Sequence, residues 1–207
     1  MHNYTPPQNY ERLCGVGVAG RSEVARLAKN SPSQALAVAR TVLHPWYRCQ
    51  ALASIVEANP SHPNSEEILN EALSAAYSQS EPNRVASVAM WPLKQLIHIN
   101  VASASDHTTK LLKIIGQEPH GLRRLGGLQA ILISVSPINE LRDAVLQAFL
   151  ETAQVSHGWR SERIIDSVIS VIAPYARDQS VALLDSRPTT RFTKASRTLL
   201  GLSGGPK

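Results

Sequence analysis

The chain has 207 residues, 43% of them hydrophobic, enough to bury a sizeable core without disulfide staples. Its longest apolar stretch, residues 126–135, is interrupted and falls short of the roughly 18 residues that span a bilayer, which excludes an integral helical membrane protein. The net charge of +5 sits at the end, where Arg187, Arg191, Lys194, Arg197 and Lys207 occur without an acid; the chain before them balances 16 basic against 16 acidic side chains, which argues against a phosphate-tracking face over its body.

Residues 1–21 carry Pro6-Pro7 and a Gly-rich patch without sustained periodicity, and read as an irregular segment. Gly15-Val16-Gly17-Val18-Ala19-Gly20 is a literal G-x-G-x-x-G, but a dinucleotide site needs a buried strand before the glycines and an acid about 20 positions later to hold the ribose. Residues 10–14 make a poor strand and residues 35–42 offer no acid, so no cofactor is expected. With Glu11-Arg12 before it, the short segment 13–20 is not expected to act as a signal peptide. Ser22 is expected to cap a short helix with Val24, Leu27 and Ala28 on one face, stopped by Asn30-Ser31-Pro32.

The first predicted hairpin places Leu36, Ala39 and Leu43 at helical spacing before a turn and Leu52, Ile55 and Val56 after it. Residues 59–64 form a Pro- and Asn-rich loop. The second hairpin opens on Ser65-Glu66-Glu67 and turns Leu69, Leu73 and Ala76 inward. Its partner helix runs from about Asn83 toward Val101, and Pro92 inside it predicts a kink or break near Trp91. The third hairpin spans residues 106–116 and 121–135. The fourth begins at Ser136-Pro137, with Pro at the first helical position, and aligns Leu141, Val145 and Phe149. It returns from Trp159 to Ala173 with Ile165, Val168, Ile169 and Ile172 buried. After Pro174-Tyr175 a short helix carries Val181 and Leu184, and an amphipathic basic helix then turns Phe192, Ala195, Leu199 and Leu202 inward. Residues 203–207 read as disordered.

Short turns followed by an Arg recur at Leu43-His44-Pro45-Trp46-Tyr47-Arg48, Glu81-Pro82-Asn83-Arg84, His120-Gly121-Leu122-Arg123-Arg124 and His157-Gly158-Trp159-Arg160. The intervals are 36 residues from Arg48 to Arg84, 40 from Arg84 to Arg124 and 37 from His120 to His157, each the length of one helical hairpin. The fold class is therefore all-α: an α/α superhelix, or solenoid, of about five hairpins over residues 22–186, with residues 187–207 as a basic capping helix and flexible tail.

Within the second helices, Arg48 is followed by Ala51 and Ser54, Arg124 by Gly127 and Ala130, and Arg84 by Ser87 and then Met90, while Ser161 stands where a fourth Arg belongs. Over roughly residues 31–175 this pattern resembles the HEAT-like family, within the wider HEAT, armadillo and tetratricopeptide class. The tetratricopeptide period of about 34 and its Trp, Gly, Tyr and Pro positions fit less consistently. The resemblance implies an interaction scaffold and no particular ligand.

His44, His120 and His157 stand at helix junctions, where an imidazole can meet the free carbonyls of the preceding helix; lying a repeat or more apart, they are not expected to converge on a metal. Arg48, Arg84 and Arg124 recur in register, as a structural ladder to neighbouring carbonyls or carboxylates would. Trp46 and Trp159 are expected to pack at the junctions, and Tyr47, Gln50 and Arg123 to lie on the open surface. The concave face, lined by the helices starting near Trp46, Asn83, Leu122 and Trp159, makes Trp46, Tyr47, Gln50, Asn83, Arg123, Trp159 and Arg160 the candidate partner-binding residues.

No catalytic residue is assigned: Cys49 beside Arg48 has no identifiable His or Asn partner, and Glu66-Glu67 is first-turn helix chemistry. Cys14 and Cys49, too few for a disulfide framework and without zinc-ligand spacing, point to free thiols in a reducing, cytoplasmic setting. The expected function is non-enzymatic binding of one protein partner, as an adaptor, a chaperone or a toxin-neutralising immunity-type protein. The alternative is a nucleic-acid-binding HEAT-like protein such as a DNA-repair glycosylase, which requires Arg84, Lys94, Arg123, Arg124 and Arg160 to gather on one face. Deleting residues 188–207 should uncover the Ile and Val face of the last hairpin. A lower melting temperature and association in light scattering are expected; an unchanged, monomeric truncation contradicts the capping role.

Overall fold

A computed structural model describes residues 10–202; residues 1–9 of the irregular segment expected over 1–21, and the disordered tail expected over 203–207, lie outside it. Among the described residues there are eleven helices and no strand. They are α1 (Tyr10–Leu27), α2 (Pro32–Thr41), α3 (Pro45–Ala58), α4 (Ser65–Tyr77), α5 (Pro82–Leu96), α6 (Val101–Ile115), α7 (Leu122–Val135), α8 (Asn139–Val155), α9 (Trp159–Ile172), α10 (Arg177–Asp185) and α11 (Arg191–Leu199). None is long and apolar enough to cross a membrane.

Local chemistry sets where the helices start. Pro32, Pro45 and Pro82 occupy first-turn positions, where the missing N–H costs nothing and φ is already helical. Asn100 Oδ1 accepts from the Ser103 backbone N–H at 3.0 Å, so α6 begins at Val101, five residues before the expected Asp106. Pro137 is not the first residue of the fourth hairpin, because α8 starts at Asn139 beyond it.

The helices form two rows. In the odd row each member packs on the next, α1 on α3, α3 on α5, α5 on α7, α7 on α9 and α9 on α11; each even helix packs chiefly on its odd neighbours, and even helices scarcely meet one another. Five hairpins, α2/α3 to α10/α11, thus stack in an arrangement compatible with a helical solenoid. The core lies between the rows, with Leu69, Leu73, Ala76, Val145, Phe149, Ile165, Val168, Ile169 and Ile172 buried as their spacing predicts.

Small residues allow the odd row its close spacing. A Cβ built on Gly127 of α7 would come 2.5 Å from Ile115 Cδ1 and 3.2 Å from Ala86 Cβ of α5. Pro92 is buried inside α5, and the helix runs through it unbroken, contrary to the expected break. The carbonyl of Val88, four residues earlier, has no helical N–H to accept from; Cys49 Sγ of α3 lies 3.4 Å from it and donates in its place. Between even helices the links are long polar side chains. Arg40 Nη2 of α2 reaches Glu71 Oε2 of α4 at 2.9 Å, His107 Nε2 of α6 lies 3.0 Å from Asn70 Oδ1, and Asn100 Nδ2 donates to Glu66 Oε1 at 2.8 Å.

Three apolar assignments change. Leu43 is 74% exposed while Val42 is buried, because α2 ends at Thr41 and helical spacing no longer applies beyond it. Residues 10–21 are helical: α1 runs through the glycine patch, and Ser22, far from capping a helix, donates its Oγ–H to Val18 O at 2.9 Å. In α11 and its C-cap the buried positions are Thr193, Ser196 and Leu200, one residue round the helix from the expected line; Leu199 and Ala195 are exposed, Phe192 is half-buried and Leu202 packs at the edge of the core. Polar pairing turns this helix, since Thr190 and Thr193 form a reciprocal capping box and Ser196 Oγ bonds Asp166 of α9.

Gly17 and Gly20 lie three residues apart on one face of α1, where a Cβ would strike the Tyr47 ring or come 2.8 Å from Val42 Cγ2; nothing lies within 4 Å of a Cβ at Gly15. Gly15→Ala should therefore raise stability by about 0.5–1 kcal/mol, from helix propensity alone. Gly17→Ala should lower it by about 1–3 kcal/mol through overpacking. Urea unfolding of both variants checks this, and equal shifts would show that the glycines do not serve helix packing.

Candidate functional site

The odd helices α3, α5, α7 and α9 begin through two kinds of turn. Before α3 and α5, His44 and Glu81 precede a Pro; before α7 and α9, Gly121 (φ 146°) and Gly158 (φ 96°) hold positive backbone angles that side-chain-bearing residues rarely adopt. His44 caps the following helix, as its Nδ1 accepts from the Trp46 backbone N–H at 3.2 Å. His120 Nδ1 instead meets Thr152 Oγ1 of α8 at 3.2 Å, and His157 is exposed. No group of three or more His, Cys, Asp or Glu among the described residues is arranged to hold a metal ion.

Between the starts of α3 and α5 lies a groove of about 260 Å³ lined by His44, Trp46, Tyr47, Asn83, Arg84 and Ser87. Trp46 is half-buried against the core, as expected. Tyr47 and Gln50 are not open surface. The Tyr47 ring lies against α1 at Gly17, 5.8 Å from the Arg21 guanidinium, and Gln50 is only 8% exposed, its Oε1 accepting from Arg21 Nη1 at 2.9 Å. The reason is α1, a helix that covers this part of α3. Arg123 Nη2 is drawn into three contacts, with Glu81 Oε2 at 2.6 Å, Asn83 Oδ1 at 3.0 Å and Glu118 Oε1 at 3.1 Å. Trp46, Tyr47, Asn83 and Arg123 thus form one connected strip.

Trp159 and Arg160 stand further along the edge, at the start of α9. Trp159 is 58% exposed and not packed at its junction, with the Arg160 and Arg163 guanidinium carbons 5.3 and 5.9 Å from its ring centroid. A second groove, of about 390 Å³ and largely apolar, opens here between His157, Trp159 and Glu162 on one side and Pro188, Thr190, Arg191 and Phe192 on the other. Arg191 lies 4.7 Å from the Phe192 ring. Arg163, Arg191 and Phe192 were not candidates by sequence, because only the turn at residues 188–190 brings the second wall to Trp159.

The recurring arginines serve the array. Arg48 pairs with Glu71 at 3.1 Å, and Arg124 Nη1 donates to the Gly116 and Glu118 carbonyls beyond α6 at 3.3 and 3.4 Å. In the fourth repeat Ser161 donates to His157 O, and Arg187 arrives from the α10–α11 connection. Its guanidinium donates to Ala153 O and Ser156 O, both at 2.8 Å, at the end of α8 and pairs with Glu162, both side chains almost fully buried. It does for α8 what Arg124 does for α6. Arg123 is thus held beside two carboxylates, and Arg124 at the carbonyls that follow α6.

Burial pushes the Cys49 thiol far above its ordinary range, and its hydrogen bond to Val88 O gives it a structural role. Burial, and secondarily the charge of Arg84, holds the His44 imidazole below its usual value of 6.5. Burial and then Lys110 do the same to His107, against the opposing pull of Asp106. With Nε2–H donated to Asn70, His107 Nδ1 accepts from the Tyr77 hydroxyl at 2.7 Å. Both imidazoles are thus acceptors in their neutral forms.

A base with a depressed folded value binds protons more readily when unfolded, so its contribution is complete above about 6.5 and is lost as pH falls through the folded values. The melting temperature should hold steady from about pH 8 to 7 and then decline toward about pH 5. Glu71, held low by Arg40 and Arg48 although burial raises it, acts only below about 4.5, outside this window. His44→Asn with His107→Gln should flatten the decline in circular-dichroism melts; a flat wild-type profile contradicts the assignment.

In comparisons with known proteins, the chain matches no protein-family model, no curated protein and no solved structure.

Proposed function

We propose that this chain is a non-enzymatic protein-binding module on a HEAT-like superhelix, with the odd row on the concave side and the starts of α3, α5, α7 and α9 as its contact edge. The supporting observation is the continuity of that edge: the groove of His44, Trp46, Tyr47 and Asn83 passes through Arg123 toward the exposed Leu122 and Trp159. Close spacing in one row and splayed helices in the other bend such a stack around the close row. An edge that mixes exposed aromatics and Arg has the composition of protein hot spots. An adaptor, a chaperone or a toxin-neutralising protein would each suit this surface. Two free thiols suit a cytoplasmic setting. The nucleic-acid reading loses support, because Arg123 is already shared between Glu81 and Glu118.

A photo-crosslinking amino acid placed at Trp46, Asn83 or Leu122 should capture one and the same protein from native lysate. The same reporter at the exposed Asn64 or Glu140, at the starts of even helices on the opposite edge, should capture none of it. Equal capture from both edges, or none from either, would falsify this placement.

A further inference from the structure

We propose that the cleft between the start of α9 and the Pro188–Phe192 turn binds a short, extended acidic segment of a protein partner, seating one apolar side chain between Trp159 and Phe192. This rests on the protein-binding reading and names the chemistry of one end of its surface. The walls are apolar and aromatic, whereas the rim is cationic: Arg160 and Arg163 stand by the Trp159 ring and Arg191 by the Phe192 ring. All three arginines are exposed. The only carboxylate in the lining, Glu162, is already neutralised by Arg187. The cleft therefore offers positive potential without a compensating acid, around an apolar seat.

That combination selects carboxylates flanking an apolar anchor, since guanidinium groups pair bidentately with carboxylates and the half-open ring of Trp159 supplies area for an aliphatic side chain. A single strand of nucleic acid would also find rings and arginines here, but it needs a cationic track beyond the first nucleotide or two. Beyond Lys194, exposed one turn along α11 from Arg191, the flanking cations do not provide one. Arg187 is buried against Glu162, Arg197 pairs with Asp185 at 2.7 Å, Arg177 Nη2 donates to Leu200 O, and Arg123 is held by Glu81 and Glu118. Charge without a track favours a short acidic peptide.

The test uses the full chain and three fluorescein-labelled probes: a peptide of alternating glutamate and leucine, its lysine and leucine counterpart, and a short oligothymidylate. Binding is read by anisotropy and located by the indole N–H resonance of Trp159, assigned with Trp159→Phe. The glutamate peptide should bind, shift that resonance and weaken with added salt. Reversing Arg160, Arg163 and Arg191 to Glu together should weaken it by about ten-fold or more, and Trp159→Ala should do the same, with thermal melting unchanged because these side chains are exposed. Binding of the lysine peptide as tightly as the glutamate peptide, or indifference to the charge reversal, overturns the proposal. Tighter binding of the oligothymidylate at Trp159 overturns it in favour of single-stranded nucleic acid. Absence of peptide binding with crosslinks intact at Trp46 and Asn83 defeats this inference alone, whereas loss of those edge-specific crosslinks defeats the wider reading.

Discussion

The approach of α3, α5 and α7 in the odd row is the contact on which the rest of the array depends. It requires small side chains where the helices approach, and Ala86 of α5 and Gly127 of α7 supply them. A proline inside the C-terminal half of α5 ought to weaken such a row. Here the carbonyl it frees lies beside Cys49, and the S–H of α3 satisfies the group that α5 cannot. The defect in one helix thereby becomes a directional tie to the next.

The even row is held by other means. Its helices are too far apart for close packing, and Arg40, Glu71, Asn70, His107, Glu66 and Asn100 bridge the gaps with paired polar atoms. Dispersion holds one row together and hydrogen bonding spaces the other. It also explains why titratable groups able to influence stability, His107 and Glu71 among them, cluster between even helices.

Arginine acts throughout as a brace for helix ends. Arg124 and Arg187 reach carbonyls that the ends of α6 and α8 leave free, and Arg48 shares Glu71 with Arg40. Five donors in a planar fork let one side chain satisfy several acceptors, a task no lysine performs as well. The basic excess near the C-terminus divides on the same principle: Arg177, Arg187 and Arg197 have partners within the array, and Arg160, Arg163 and Arg191 remain by the rings of Trp159 and Phe192. Net charge alone would not have separated the two groups.

Helical periodicity by itself determined the all-α class, the first four hairpins and most of the inward positions, because burial of one stripe every 3.6 residues is a local property of the chain. It determined the recurring Arg register as well, since that register repeats with the hairpin. Only the tertiary structure decided what happens where local signals are weak or misleading. The glycines of residues 15–20 read as loop formers because glycine disfavours an isolated helix, yet Gly17 and Gly20 make α1 dockable against Tyr47 and Val42, and that docking buries Gln50. In α11 the apolar line was overruled by Thr190, Thr193 and Ser196, whose partners lie in a cap and on α9. The wall of Arg191 and Phe192 facing Trp159, and Arg187 in place of the missing Arg at Ser161, join residues more than 20 positions apart. Such meetings are set by how the last hairpin closes on α9, a packing outcome that no local spacing encodes.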